Sequence, residues 1–144
     1  MPRRPTASSV SASEGSDSGS VRSDVLQGTL DLLILKTLSF GPQHGWGISQ
    51  RIQQLSRDAL AVGQGSLYPA LHRLERKGAI KAEWGSSDSN RRAKFYRLTA
   101  EGGRELSVEL SSWRLFAGAV EEILAHDALD GDLDAALRAE GGMP

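Results

Sequence analysis

The 144-residue sequence predicts a mainly α fold that carries a small β-hairpin. Three observations predict it. Apolar residues recur at spacings of three and four in three successive segments, the period of helices buried on one side. After Gly78 the pattern changes to alternation, the period of a strand. Beyond Thr99 the helical period returns and holds to Leu124.

An apolar fraction of 39% and a charged fraction of 24% suit one domain with one core. No apolar run approaches the ~20 residues that span a bilayer. Residues 1–20 lack the apolar centre of a secretory signal, so a soluble, cytoplasmic protein is expected. The chain has no cysteine, which excludes disulfides, thiolate metal sites and cysteine nucleophiles. Its net charge of −1 conceals a segregation. Three basic and two acidic residues precede Asp24, eleven and six lie from Asp24 to Leu98, and three and ten follow from Thr99. An acidic half can mask a basic, nucleic-acid-facing half. Charge alone leaves ordinary local fluctuation open as the alternative.

Residues 1–23 contain eight serines and almost nothing large and apolar. Such a segment cannot offset its chain entropy by burial and reads as a disordered arm. Asp24 is the expected N-cap of a first helix on which Leu26, Leu30, Leu33, Ile34 and Leu38 share a face. Gly41-Pro42 stops it. A second helix, about Gly45 to Ser56, buries Ile48, Ile52 and Leu55. After a loop over 57–65, Ser66 is the expected cap of a third helix. Pro69 then falls at its third position, where a missing N–H costs nothing. Leu67, Ala70, Leu71 and Leu74 form its apolar face, and Gly78 ends it.

Ile80, Ala82 and Trp84 alternate with Lys81 and Glu83 as a strand. The run from Gly85 to Asn90 is a turn, and Lys94 to Leu98 returns as a second strand. Thr99 caps a long helix striped by Leu106, Leu110, Trp113, Ala117, Val120 and Leu124. Three helices and a hairpin, in this order, predict a winged helix-turn-helix over 24–98. A dimerisation helix over 99–125 and an acidic tail over 126–144 complete the chain.

In such a module the third helix enters the major groove of DNA and the hairpin loop touches the backbone. Opposite the core face of that helix lie Pro69, His72, Arg73 and Arg76, suited to phosphate and guanine. Gln64, Ser66 and Tyr68, at its leading end, could reach base edges or phosphates. A solvated face would also favour arginine, so the helix alone leaves both readings open. The hairpin separates them better. Arg91, Arg92 and Lys94 crowd within four residues, a repulsive cluster unless an anion neutralises it. Double-stranded DNA supplies that anion, with a steep salt dependence.

These residues carry a resemblance. Gln27 to Leu35, Gly45-Trp46-Gly47-Ile48, Ser66 to Glu75, Gly78-Ala79-Ile80 and Arg91 to Thr99 are similar to the PadR family of bacterial transcriptional repressors. The Leu-Tyr-Pro segment joined to Arg-Leu-Glu, and the Tyr-Arg-Leu-Thr exit from the hairpin, are the most specific. The likeness covers about 100 residues, from Asp24 to Leu124, and points to the branch with a single C-terminal dimerisation helix. It implies a winged-helix homodimer on a palindromic operator. In some members phenolic acids or planar drugs relieve repression. Gly102-Gly103 departs from the family pattern, which usually has one glycine there, and puts the rigidity of that first turn in question.

A helix of ~26 residues is about 39 Å long, more than three short helices can cover. Its stripe is therefore expected to pack on a second copy. The resemblance makes Trp113, with Phe116 beside it, a stacking platform for a small aromatic effector. A plain interface core is the alternative. No enzyme chemistry is expected. His44, His72 and His126 lie on separate elements without metal-ligand spacing, Glu121-Glu122 reads as solvated, and no phosphate-binding glycine loop occurs. No cofactor or metal is implied. The rival reading is a winged helix that contacts proteins and not DNA, for which the basic wing would be superfluous.

Overall fold

The computed structural model describes residues 23–127 and 135–139. The serine-rich arm and most of the acidic tail lie outside the described residues. The described elements are α1 (Ser23–Leu38), β1 (Gln43–His44), α2 (Gly45–Leu55), α3 (Gln64–Arg76), β2 (Ile80–Ser86), β3 (Arg92–Leu98) and α4 (Ala100–Leu124). A further helical turn spans 135–139. The three strands form an antiparallel sheet in the order β1-β3-β2. The fold is the predicted winged helix, mainly helical with a small sheet. The chain divides into two compact units within α4, Met1–Ser107 and Val108–Pro144.

The core lies among the first three helices and the sheet. Leu30, Ile34, Leu35 and Leu38 of α1 meet Ile48 and Ile52 of α2 and Leu67, Ala70, Leu71 and Leu74 of α3. Ala79, Ile80 and Tyr96 close it. Full burial of each aliphatic side chain stabilises by roughly 1.5–3 kcal/mol, so this cluster fixes how the helices pack. Leu55, expected in the core, is 63% exposed at the last residue of α2.

Several boundaries differ from the expected ones. The first helix already begins at Ser23, and the side chain of Asp24 lies outside the described ones. The third helix begins at Gln64, not after Ser66. Gly63 is the extended N-cap residue, and its carbonyl accepts from Ser66 N at 3.2 Å and Leu67 N at 3.0 Å. Pro69 therefore sits well inside the helix, where it leaves the Gly65 carbonyl without its usual intrahelical donor. Gly65 is exposed, so water can serve that carbonyl. The short β1 had no visible pattern, because two residues cannot show alternation. It continues directly into α2, where His44 is the N-cap and its Nδ1 accepts from Gly47 N at 3.0 Å.

The hairpin is longer than predicted, with register Ile80↔Leu98 through Ser86↔Arg92. Its loop closes through Asn90 N donating to Ser87 O and Ser87 N to Arg91 O, both 2.8 Å. Asn90 takes φ +62, a conformation asparagine tolerates better than most residues.

One corner joins α3, the sheet and α4. Gly78, at φ +81, lets α3 end with Gly78 N on Glu75 O at 3.0 Å and Ala79 N on Leu74 O at 2.9 Å. Thr99 then caps α4: its Oγ1 accepts from Gly102 N at 3.0 Å. The same hydroxyl lies 2.7 Å from Gly78 O and 3.0 Å from Ala79 O, and donates there. Lys77 reaches Glu105 at 2.8 Å across the joint. A Cβ on Gly102 would strike the Ala79 carbonyl and the Leu98 side chain, whereas one on Gly103 would meet nothing. The double glycine thus contains one packing requirement and one dispensable residue. Leu106, the first residue of the expected dimer stripe, packs against this core.

The two glycines should separate in chemical denaturation. Gly102→Ala should cost about 1–3 kcal/mol through overpacking. Gly103→Ala should stabilise by up to about 1 kcal/mol by removing a flexible residue from a helix.

Candidate nucleic-acid interface

The exposed side of α3 is built by default, because its other side is committed to the core. Pro69, His72 and Arg76 are exposed there, as expected, with Gln64 exposed and Ser66 half-buried at the leading end. His72, Glu75 and Arg76 line a shallow depression. Arg73 is exposed on this side too, and it also has a partner. Its guanidinium donates to Asp31 of α1 at 2.8 Å. So exposed a pair contributes at most about 1 kcal/mol to stability. It ties the middle of α3 to α1, whose packing the apolar core already sets.

Tyr68 lies over the start of α2. A Cβ on Gly45 would collide with the Tyr68 hydroxyl and come within 2.8 Å of its ring. Glycine at 45 is thus what lets the tyrosine lie there. The ring thereby becomes one wall of a groove of about 560 Å³ between the helices and the wing. Facing it are Arg92 and Lys94 of β3, with His44, Trp46 and Tyr96 completing the lining. Arg91, Asp88 and Ser89 from the wing loop border the same groove.

The cations do not stand free in water. The Arg92 guanidinium sits 4.6 Å from the centre of the Trp84 ring, and the Lys94 ammonium lies 5.8 Å from that of Tyr96. Both distances suit cation–π attraction. Burial, with further contributions from the Glu75 carboxylate and Tyr68, pushes the Tyr96 phenol above its ordinary range near 10, so it keeps its proton at neutral pH. The groove therefore combines aromatic walls with positive charge on one side.

Sequence reasoning found the cations but not their aromatic partners. Trp84 alternates with Ile80 and Ala82, yet it is 60% exposed while Ile80 is buried. Trp46 is 60% exposed as well. A large aromatic at an exposed strand position, diagonal to an arginine, was the available signal.

On α4, Leu110, Ala117 and Val120 of the expected stripe are half-buried, and Leu124 is exposed. Phe116, expected beside Trp113, is more exposed, as are Val108, Leu115 and Ile123, which the expected stripe did not include, Leu115 reaching 77%. Trp113 is 39% exposed and its ring lies 6.1 Å from that of Phe116, tilted by 48°. No helix among the described residues is long and apolar enough to cross a membrane.

The profile of the transcriptional regulator PadR-like family matches residues 34–108, from the last turns of α1 into α4. The chain belongs to the PadR-like family. A solved transcriptional regulator from Clostridium thermocellum is 30% identical, with a TM-score of 0.63 over 69% of this chain and 96% of that one. A PadR-like transcription factor from Bacteroides fragilis is 31% identical, with a TM-score of 0.56 over 70% and 95%. An uncharacterised protein of Lysinibacillus sphaericus is 33% identical over 93 residues, 65% of this chain and 85% of its own. With this family, the chain is a DNA-binding transcriptional regulator, and the α3 face and wing are the surface to test.

Gly45→Ala should leave the melting temperature within a few degrees, since only the end of a side chain must move, yet displace Tyr68 and weaken duplex binding several-fold. Asp31→Ala should likewise spare the fold, costing at most about 1 kcal/mol. Thermal melts beside fluorescence anisotropy on duplex DNA check both.

Proposed function

We propose that the chain is a homodimeric repressor that places α3 of each copy in successive major grooves of a palindromic operator. The observation that carries this reading is the cationic wing set beside the outward face of α3. Arg91, Arg92 and Lys94 hold the flanking backbone, while Gln64, Ser66, Tyr68, Pro69, His72 and Arg76 address the groove between. Arg73 belongs to the same exposed face, with its guanidinium held by Asp31. Repression is by exclusion of polymerase from the bound site, in the cytoplasm.

Dimerisation is supported by the apolar surface of α4. A helix with apolar side chains on two faces has more to bury than its own chain covers. Leu110, Trp113, Ala117, Val120 and Leu124, with Val108, Leu115, Phe116 and Ile123, supply the interface, and Leu106 contributes mainly to its own core. The Trp113–Phe116 pair is the seat of a flat aromatic effector. Such a ligand relieves repression only if it binds one spacing of the two recognition helices better than another.

Anisotropy titration against labelled duplex from the protein's own promoter region, at two salt concentrations, tests the main reading. Preference over a scrambled duplex, weakening steeply with salt, is expected. His72→Ala should change sequence preference more than total affinity. No preference and no salt dependence would favour a winged helix that serves protein contacts.

Analytical ultracentrifugation should show a dimer that Leu115→Glu converts to monomer, with operator affinity falling at least tenfold. A flat aromatic effector should quench tryptophan emission, and Trp113→Ala should abolish that quenching while Trp46 and Trp84 still emit.

A further inference from the structure

We infer that Trp84 is a positioning residue for DNA binding: its ring is the platform that holds the Arg92 guanidinium ready for a backbone phosphate. The inference rests on the DNA-binding reading of the wing.

The sheet register places the pair. Trp84 lies opposite Lys94, and Arg92 is two residues along β3 on the same face, the diagonal position that long side chains can reach. The Arg92 Cζ is 4.6 Å from the Trp84 ring centre. Glu83 and Arg97, which pair at 3.4 Å, alternate onto the opposite face and do not compete. Trp84 packs against no core cluster and is 60% exposed, so hydrophobic burial does not account for it. Stacking does. A guanidinium is weakly hydrated and lies flat on an indole, with its edge N–H groups left free for an anion. Arg92 and Lys94 both border the groove beside Tyr68. An arginine already held on a rigid strand loses less freedom on binding than one that must be ordered.

The test is a double-mutant cycle on the full chain, read by anisotropy on duplex DNA across a salt series. Arg92→Ala should weaken binding about fivefold and lower the salt slope by about 1.8, one phosphate contact from each copy of the dimer. Trp84→Ala should give most of the same loss, and the double variant should be no worse than Arg92→Ala alone. Trp84→Phe, which keeps a ring face, should recover most of the affinity. Side-chain NMR of the free protein should show the Arg92 Nε–H shifted by the ring current, a shift lost in Trp84→Ala with the sheet resonances retained. Independent, multiplying losses would overturn the platform and make Trp84 a DNA contact in its own right. An unaffected Trp84→Ala beside a weakened Arg92→Ala would overturn it too. If Arg92→Ala itself binds normally, the wing reading fails and the role of Trp84 with it.

Discussion

Everything beyond the first three helices depends on the backbone carbonyl of Ala79. It accepts from Thr99 N at 3.1 Å, lies 3.0 Å from the Thr99 hydroxyl, and is passed so closely by α4 that residue 102 must be glycine. Three elements are fixed by that single approach: the end of α3, the base of the hairpin and the entry of α4. The geometry is local and polar, but its effect is to join the recognition helix and the first two turns of α4 into one rigid piece. The Lys77–Glu105 pair spans the same joint. A helix-breaking residue at the start of a long helix is here the condition for the helix being placed at all.

The binding face is assembled on similar terms. No element presents it alone. Residue 45 must be small so that Tyr68 can lie across α2, and β1 must pair with β3 so that His44 and Trp46 stand beside the wing. Asp31 then holds the Arg73 guanidinium against α1. Each of these contacts is worth little in stability. Together they decide which side chains face outward, the property a reader of DNA needs most.

Much of this was legible in the sequence. The periods of three and four, the switch at Gly78 and the cation cluster at 91–94 gave the fold and the wing, because burial on one face and charge crowding leave marks on a linear pattern. The cap at Thr99 was visible because it is a local hydrogen bond. The parts that were not visible depend on contacts between distant residues. Arg73 looks like any outward arginine until Asp31, 42 residues away, is found beside it. Trp84 continues the alternation of Ile80 and Ala82, and only the folded chain shows it exposed beneath Arg92. The Gly102-Gly103 pair looks like a weakness until Ala79 is seen to need one of the two. The cap of α3 was misplaced because glycine at 63 and 65 conceals where the helix turns begin.

The cap of α2 also fixes a tautomer. His44 Nδ1 accepts the Gly47 N–H, so in the neutral ring the proton must reside on Nε2. The ring is steadied edge-on to Phe95 at 5.3 Å. Its second nitrogen is therefore obliged to donate. His44 lines the groove, and in the neutral ring its one N–H is a donor whose position the helix behind it dictates, matched to an acceptor such as a phosphate oxygen and mismatched to another donor.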